Sequence, residues 1–308
     1  MLKGLPAPLH GAIMALLLLI NTVLWVAPVY VLILLKLLTP GGSVPRRVLD
    51  RAIAWLAQRW AVCNVVLSKV LMAVDVEVNI DADLSPKGQY LVCCNHQTWN
   101  DIFMLMYAFG SRAPFFKFFL KQELIWVPLL GLAWWGLDYP FMKRHSRQDL
   151  AKNPALRGSD IETTKRACAR YKGQPVMILN FLEGTRFTAD KHRRQKSPYT
   201  HLLKPKAGGF AFALGAMGRN LDALLDVTIV YPGGAQGFWP FLCGRVRQVR
   251  IHVRQLRMDD EWFDGNYETD QRFRAGFQRW VADLWHEKDV RIGEMLKASG
   301  SSASPKPD

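Results

Sequence analysis

The chain has 308 residues, of which half are hydrophobic and 11% are aromatic, so it can bury one large core or two modest ones. This composition excludes a wholly disordered protein, which has too few apolar side chains to form a core. The formal net charge of +14 predicts an anionic partner, whether a nucleic acid, an anionic membrane or a phosphorylated molecule.

The first predicted element is a long apolar helix, because residues 11–35 carry no formal charge. The run exceeds the about 20 residues that a bilayer core requires and is too long for a signal peptide. Its length favours a membrane span, although Pro28 also allows a re-entrant helical pair. Cations are more frequent after the run than before it, which places the bulk of the protein in the cytoplasm. We assign residues 1–40 to a transmembrane or re-entrant anchor, expected in a bacterial inner membrane with the remaining chain on its cytoplasmic side.

Residues 41–73 are predicted to form an amphipathic linker helix over 44–72. One side of this helix is predicted to carry Trp55, Leu56, Trp60 and Cys63.

Residues 74–297 alternate between strand-like and helical segments, which predicts an α/β domain with a largely parallel, buried sheet. The predicted strands are 74–80, 89–94, 115–120, 176–181, 225–230 and 245–256. The predicted helices are 161–171, 210–217 and 271–288. The final segment, 298–308, is predicted to be a disordered tail.

A polar segment interrupts the apolar sequence after the predicted strand 89–94. The pattern places His96 at the carboxyl end of that strand and Asp101 at the start of a helix, the edge where ligands gather in open α/β sheets. The spacing lets the Asp101 carboxylate reach one imidazole nitrogen of His96, which leaves the other nitrogen free to take a proton. A helix-capping Asp101 beside an uninvolved loop histidine fits the spacing equally well.

A second polar segment follows the predicted strand 176–181. It consists of Glu183, Gly184, Thr185 and Arg186. Glycine allows close backbone approach, threonine offers a hydroxyl, and arginine can pair with two phosphate oxygens, so the segment predicts an anion-binding turn. An ordinary turn with a surface arginine is the alternative. Lys121 and Arg144 also follow apolar segments. Taken by itself, each is more typical of a solvent-exposed side chain than of a binding residue.

Together these segments resemble the 1-acylglycerol-3-phosphate acyltransferase family of glycerolipid acyltransferases. The family's four sequence blocks are similar, in the same order, to His96 with Asp101 (an HX4D motif), Phe141 to Arg144, Glu183 to Arg186, and 227–232. Leu182 and Phe187 depart from the commonest family pattern. They make the third block similar to the branch that includes the lysocardiolipin and lysophosphatidylinositol acyltransferases.

The resemblance implies a mixed, largely parallel sheet flanked by helices, with residues 74–297 as the acyltransferase domain. It implies an O-acyltransferase that moves a fatty acyl group from acyl-CoA or acyl carrier protein to the hydroxyl of a lysophospholipid. The first acceptor to consider is 1-acyl-sn-glycerol 3-phosphate, which would give phosphatidic acid. His96 is then the general base and Asp101 its support. The implied ligands of the acceptor phosphate are Glu183, Gly184, Thr185, Arg186, Arg144 and Lys121. A thioester is already activated, so no metal, other cofactor or covalent intermediate is required.

Several alternatives stay open. The acceptor can instead be lysophosphatidylglycerol, lysocardiolipin, lysophosphatidylinositol or glycerol 3-phosphate. A thioesterase or other hydrolase is disfavoured, because the chain has no G-x-S-x-G segment and Cys94 would lie about 6–7 Å from His96 along a strand.

A non-catalytic adaptor is also disfavoured. The aromatic residues do not alternate with the basic ones, so we expect a lipid bilayer and no nucleic acid as partner. Neither the cysteines nor the histidines have metal-site or disulfide-framework spacing.

Overall fold

The computed structural model describes residues 5–142, 168, 170–171 and 173–301. Its helices are α1 (Ala7–Leu37), α2 (Val44–Leu71), α3 (Asn100–Phe109), α4 (Leu130–Gly136), α5 (Ala189–Gln195), α6 (Ala207–Met217), α7 (Phe238–Leu242), α8 (Glu261–Asp264) and α9 (Gln271–Ser301). Its strands are β1 (Asp75–Asp81), β2 (Gln89–Cys94), β3 (Phe116–Phe118), β4 (Leu120–Lys121), β5 (Phe141–Met142), β6 (Val176–Phe181), β7 (Ala223–Val230) and β8 (Gln248–Leu256).

A six-stranded sheet forms the centre of the described chain, with strand order β1-β8-β7-β2-β6-β3. Only the β7–β8 pairing is antiparallel, so the predicted α/β fold with a mixed, largely parallel sheet is confirmed. Strands β2, β6 and β7 are almost wholly buried, because helices cover both faces of the sheet. Their near-continuous apolar sequences follow from this double burial.

The predicted strands 89–94 and 176–181 begin and end where the structure places β2 and β6. The predicted strand 115–120 is wrong as one element, since it divides into β3 in the main sheet and β4, which pairs with β5 in a separate two-stranded sheet. The predicted helix 161–171 lies almost entirely outside the described residues.

The last helix is longer than predicted. The sequence predicts 271–288, whereas α9 continues to Ser301 and enters the segment predicted to be disordered. Beyond residue 288 the helix still buries apolar side chains, with Ile292 in the core and Met295 packed against it. This continued burial stabilises the additional turns.

The predicted apolar side of α2 is partly wrong, since Leu56 and Trp60 pack against the core but Trp55 does not. Trp55 is 57% exposed, and the buried face instead presents Ile53, Ala57, Ala61 and Asn64. Small alanine side chains let α1 pack closely along this face, and α1 runs antiparallel to α2. The partner helix, rather than the size of the aromatic side chains, determines which face is buried.

Helix α1 lies along the rest of the protein and is held near both of its ends. Near the start, the ring nitrogens of His10 lie 2.8 and 3.1 Å from the carbonyl oxygens of Leu242 and Leu71. Near the end, the buried Lys36 ammonium lies 2.7 Å from a carboxylate oxygen of both Asp50 and Asp138. The opposite side of α1 is exposed and largely aliphatic. By length and composition alone, this helix could cross a membrane.

Candidate active site

The site begins where β2 ends. The side-chain amide of Asn95 donates to the carbonyl of Ile229 at 2.9 Å and accepts from the amide of the same residue at 2.9 Å. This side chain therefore continues the hydrogen-bond ladder between β2 and β7 by one rung. The next residue, His96, is fixed in position relative to the end of β7.

His96 and Asp101 are in direct contact. The Nδ1 atom of His96 lies 2.8 Å from the Oδ2 atom of Asp101, which is fully buried in the first turn of α3. The same oxygen accepts the backbone amides of Gln97 at 2.6 Å and Thr98 at 3.0 Å. Asp101 therefore closes the loop before α3 and orients the imidazole. It does not cap α3, whose N-cap Trp99 has no side-chain cap hydrogen bond.

The other ring nitrogen of His96 is available. Because a carboxylate only accepts hydrogen bonds, the Nδ1 atom carries the proton in the neutral tautomer that this contact favours, and the lone pair is then on the Nε2 atom. The ring stacks on Phe181, with centroids 4.0 Å apart and an interplanar angle of 17°. The side chain is 16% exposed, and no hydrogen bond reaches Nε2 from the residues that the structure describes. This geometry suits a general base.

Glu183 differs from its expected role in phosphate binding. Its side chain is fully buried; Oε1 accepts the backbone amide of His96 at 2.7 Å and Oε2 accepts that of Leu203 at 3.0 Å. Burial raises the pKa of Glu183 to about 7, although the two amide donors act in the opposite direction. Both oxygens are already engaged, so this carboxylate supports the loop instead of facing a ligand.

Gly184 and Thr185 form a tight turn beside two lysines. Gly184 has a φ of +66°, and a Cβ atom there would lie 2.9 Å from the Nζ atom of Lys206. The hydroxyl of Thr185 accepts from the Nζ atom of Lys191 at 2.8 Å. The sequence motif therefore gathers Lys191 and Lys206, two cations absent from the predicted set. Both lysines belong to the basic stretch that follows the motif in sequence. That run of positive charge was the feature of the sequence that could have identified them.

Arg186 lies next to the His96 loop. Its guanidinium stacks 4.6 Å from the ring centroid of Trp99, and the adjacent amide of Phe187 donates to the carbonyl of His96 at 2.7 Å. The two polar segments identified in the sequence are therefore joined into one hydrogen-bonded unit, with an imidazole and a guanidinium on neighbouring loops.

Of the two remaining predicted cations, Lys121 lies within the described residues and Arg144 does not. Lys121 is exposed and lies opposite Met142 in the small two-stranded sheet, and no hydrogen bond or ion pair connects it to the described residues of the site. Arg144, which follows Met142 closely in sequence, lies outside the described residues.

Cys94 does not provide a nucleophile. The thiol is fully buried and donates to the carbonyl of Asn95 at 3.1 Å. Burial raises the pKa of the Cys94 thiol well above its usual range, so the reactive thiolate is suppressed. A hydrolase that uses Cys94 as its nucleophile is therefore disfavoured.

One further residue of the site, Tyr231, lies within the fourth sequence block, 227–232, but had no role predicted for it. The hydroxyl of Tyr231, directly after β7, donates to the Oδ1 atom of Asp101 at 2.7 Å. The signal was its position at the end of a buried strand, on the sheet edge that also carries His96.

Residues 75–232 match the acyltransferase family model, which covers more than half of the chain, and the protein belongs to this family. This confirms the resemblance found in the motifs.

Three curated relatives have related names. Lysocardiolipin acyltransferase 1 of Danio rerio is 27% identical over 84% of this chain and 64% of its own length. The 2-acyl-1-lysophosphatidylinositol acyltransferase of Saccharomyces cerevisiae is 25% identical over 71% and 64%. The 1-acyl-sn-glycerol-3-phosphate acyltransferase gamma of Mus musculus is 30% identical over 60% and 46%. The chain thus spans less than two thirds of each of these relatives.

A solved structure, the 1-acyl-sn-glycerophosphate acyltransferase PlsC of Thermotoga maritima, aligns with a TM-score of 0.44 and 21% identity, over 89% of this chain and 97% of that one. This similarity is too distant to bear on the site.

Proposed function

We propose that this protein transfers a fatty acyl group from a thioester to the free hydroxyl of a lysophospholipid. The observation that carries the proposal is the pairing of His96 with Asp101. It leaves the Nε2 atom of His96 without a hydrogen bond from the described part of the chain, beside the loop that carries Arg186. Membership of the acyltransferase family supports the same reaction.

In the proposed reaction, the Nε2 atom of His96 takes the proton of the acceptor hydroxyl as its oxygen attacks the thioester carbonyl. The carbon–sulfur bond breaks, and the leaving thiolate takes the proton back from the imidazolium. The buried Asp101 carboxylate stabilises that imidazolium. A base positioned in this way contributes about 10²–10⁴-fold to the rate. No group of the protein forms a covalent bond with the acyl chain.

The acceptor is proposed to carry a phosphate held by Arg186 and the turn at Gly184 and Thr185. A guanidinium can donate two parallel hydrogen bonds to a phosphate, and the cations of Lys191 and Lys206 strengthen the local positive field. We take 1-acyl-sn-glycerol 3-phosphate as the first acceptor. The names of the relatives support lysocardiolipin and lysophosphatidylinositol as alternatives, since all three lipids share a glycerol phosphate. The donor is proposed to be acyl-CoA or acyl carrier protein.

We infer a membrane location in which α1 lies along one leaflet. A helix of 31 residues is about 46 Å long at 1.5 Å per residue, and a perpendicular span would separate it from the protein. The contacts of His10 and Lys36 instead hold it against the protein near both ends. Its exposed aliphatic side chains are then free to enter lipid.

The test is an acyl-transfer assay with acyl-CoA and a panel of acceptors. The panel contains 1-acyl-sn-glycerol 3-phosphate, lysophosphatidylglycerol, lysocardiolipin, lysophosphatidylinositol and glycerol 3-phosphate. His96→Ala is expected to abolish transfer while binding to lipid vesicles is unchanged. His252→Ala is the matched control, because His252 also pairs with an aspartate, Asp81 at 2.8 Å, but lies on β8. Retained transfer in His96→Ala would contradict the proposal. Release of CoA without any acceptor would indicate a thioesterase instead.

A further inference from the structure

The Asp101 carboxylate contacts four hydrogen-bond donors among the described residues. One oxygen accepts from the His96 ring and two backbone amides, and the other accepts from the hydroxyl of Tyr231 at 2.7 Å. The Tyr231 side chain is 3% exposed, so it has no surface on which to bind a substrate. Burial raises the pKa of Tyr231 well above its usual range, and its hydroxyl therefore remains a proton donor.

The backbone around Tyr231 is held in register with the His96 loop. Asn95 precedes His96 and bonds to both backbone groups of Ile229, which lies two residues before Tyr231. The side-chain amide of Asn95, which follows β2, is therefore bonded to main-chain atoms of β7. These two hydrogen bonds fix the distance between the ends of the two strands. The tyrosine hydroxyl meets the carboxylate as a consequence of this register.

We propose that Tyr231 is a positioning residue that holds the Asp101 carboxylate and limits how strongly that carboxylate favours a charged His96 ring. The inference rests on the proposed function, in which His96 is the base. Three donors other than His96 share the negative charge of Asp101, and each one that is removed leaves more of this charge to stabilise the imidazolium.

Other titratable groups near the pair do not account for such an effect. Glu183 contacts the backbone amide of His96, and Cys94 lies beneath the loop in the core. Both remain in place when only the hydroxyl of Tyr231 is removed. A comparison of two proteins that differ in this hydroxyl therefore isolates its contribution, even though Glu183 titrates near neutral pH.

The test variant is Tyr231→Phe, which keeps the ring and removes the hydroxyl. We expect kcat to fall about five- to twentyfold, because the Asp101 carboxylate loses a donor that holds it in place to orient His96. The KM for the acceptor should change little, because the tyrosine does not touch the acceptor. The rising limb of the pH profile of kcat/KM should move to higher pH by about half a unit. Tyr139→Phe is the matched control, since the buried Tyr139 hydroxyl donates to the carbonyl of Phe116 at 2.6 Å, outside the site.

A second measurement does not depend on catalysis. NMR of the labelled His96 ring should show its titration midpoint at higher pH in Tyr231→Phe and at lower pH when fluorotyrosine, a stronger donor, replaces Tyr231. These shifts would support the proposal even if no acyl transfer were found, which would overturn the proposed function alone. Identical His96 titrations in wild type, Tyr231→Phe and the fluorotyrosine protein would overturn the role of Tyr231.

Discussion

At the scale of single residues, Glu183 has a different task from its neighbours in the motif. Gly184 and Arg186 face the loop surface, whereas the Glu183 carboxylate turns inward and joins the amides of His96 and Leu203. The loop carrying the base is therefore attached to the loop carrying the guanidinium through one buried side chain. A lost contact at Glu183 should disturb catalysis more than it disturbs substrate binding.

Glu183→Gln tests this assignment. A glutamine oxygen can accept only one of the two amides, and its NH2 group would face the other, so either His96 or Leu203 loses its partner. An unsatisfied buried amide costs about 1–3 kcal/mol. We expect kcat to fall about tenfold while the KM for the acceptor stays unchanged. A large rise in KM with constant kcat would show instead that Glu183 binds the acceptor.

The same variant should change the pH dependence of stability. The pKa of Glu183 is raised from 4.5 to about 7 on folding, so between these values the folded chain holds a proton that the unfolded chain has released. Its stabilising contribution is present in full below pH 4.5 and is lost as the pH rises through about 7. The difference in unfolding free energy between wild type and Glu183→Gln should therefore shrink over that range in urea titrations.

At the scale of elements, the attachment of α1 depends on Lys36. Lys36→Met removes the ammonium that lies 2.7 Å from a carboxylate oxygen of both Asp50 and Asp138. Both carboxylates remain partly solvated, so the expected effect is local. Hydrogen exchange in the second half of α1 should accelerate about tenfold, while exchange in β2 and β6 stays slow. Lys69→Met, which removes an exposed lysine from α2, serves as the control; equal exchange in all three proteins would contradict the prediction.

The sequence predicted correctly those elements whose ends are determined by neighbouring residues. Strands β2 and β6 are consecutive apolar residues closed by polar turns, and the loop from His96 to Asp101 follows from that contrast. The division of the predicted strand 115–120 depends on pairing with β5, which is distant in sequence. The buried face of α2 likewise depends on α1.

The composition of the site was less predictable than its location. A motif shows that Glu183 and Arg186 are neighbours, but not which side chain turns inward, because this depends on an amide at Leu203. Tyr231 contacts Asp101 across 130 positions of sequence, and no local pattern encodes that contact.

At the scale of the whole molecule, a buried charge cluster joins the last helix to the sheet. Asp226, in the middle of β7, pairs with the buried ammonium of Lys288 on α9. Arg254 lies 3.0 Å and Arg291 3.6 Å from the same carboxylate. Burial opposes ionisation, but the attraction of Lys288 and Arg254 outweighs it and lowers the pKa of Asp226. The cluster fixes α9 against β7 and β8.

Lys288→Met should destabilise the whole fold, because it removes the innermost cation from a buried carboxylate. We expect a loss of about 3–5 kcal/mol in unfolding free energy, measured by chemical denaturation. Arg219→Ala is the control: Arg219 pairs with Asp260 on the surface, where an ion pair contributes about 0–1 kcal/mol. Similar losses in the two variants would show that burial does not strengthen the cluster.

The attachment of α1 also has a consequence for biosynthesis. The ribosome makes this helix early, yet the carbonyl of Leu242 that meets His10 is added 232 residues later, and the carbonyl of Gly136 that meets Lys36 is added 100 residues later. During translation the nascent apolar helix has no protein surface to cover it. We therefore expect lipid or a chaperone to cover the helix until the strands assemble.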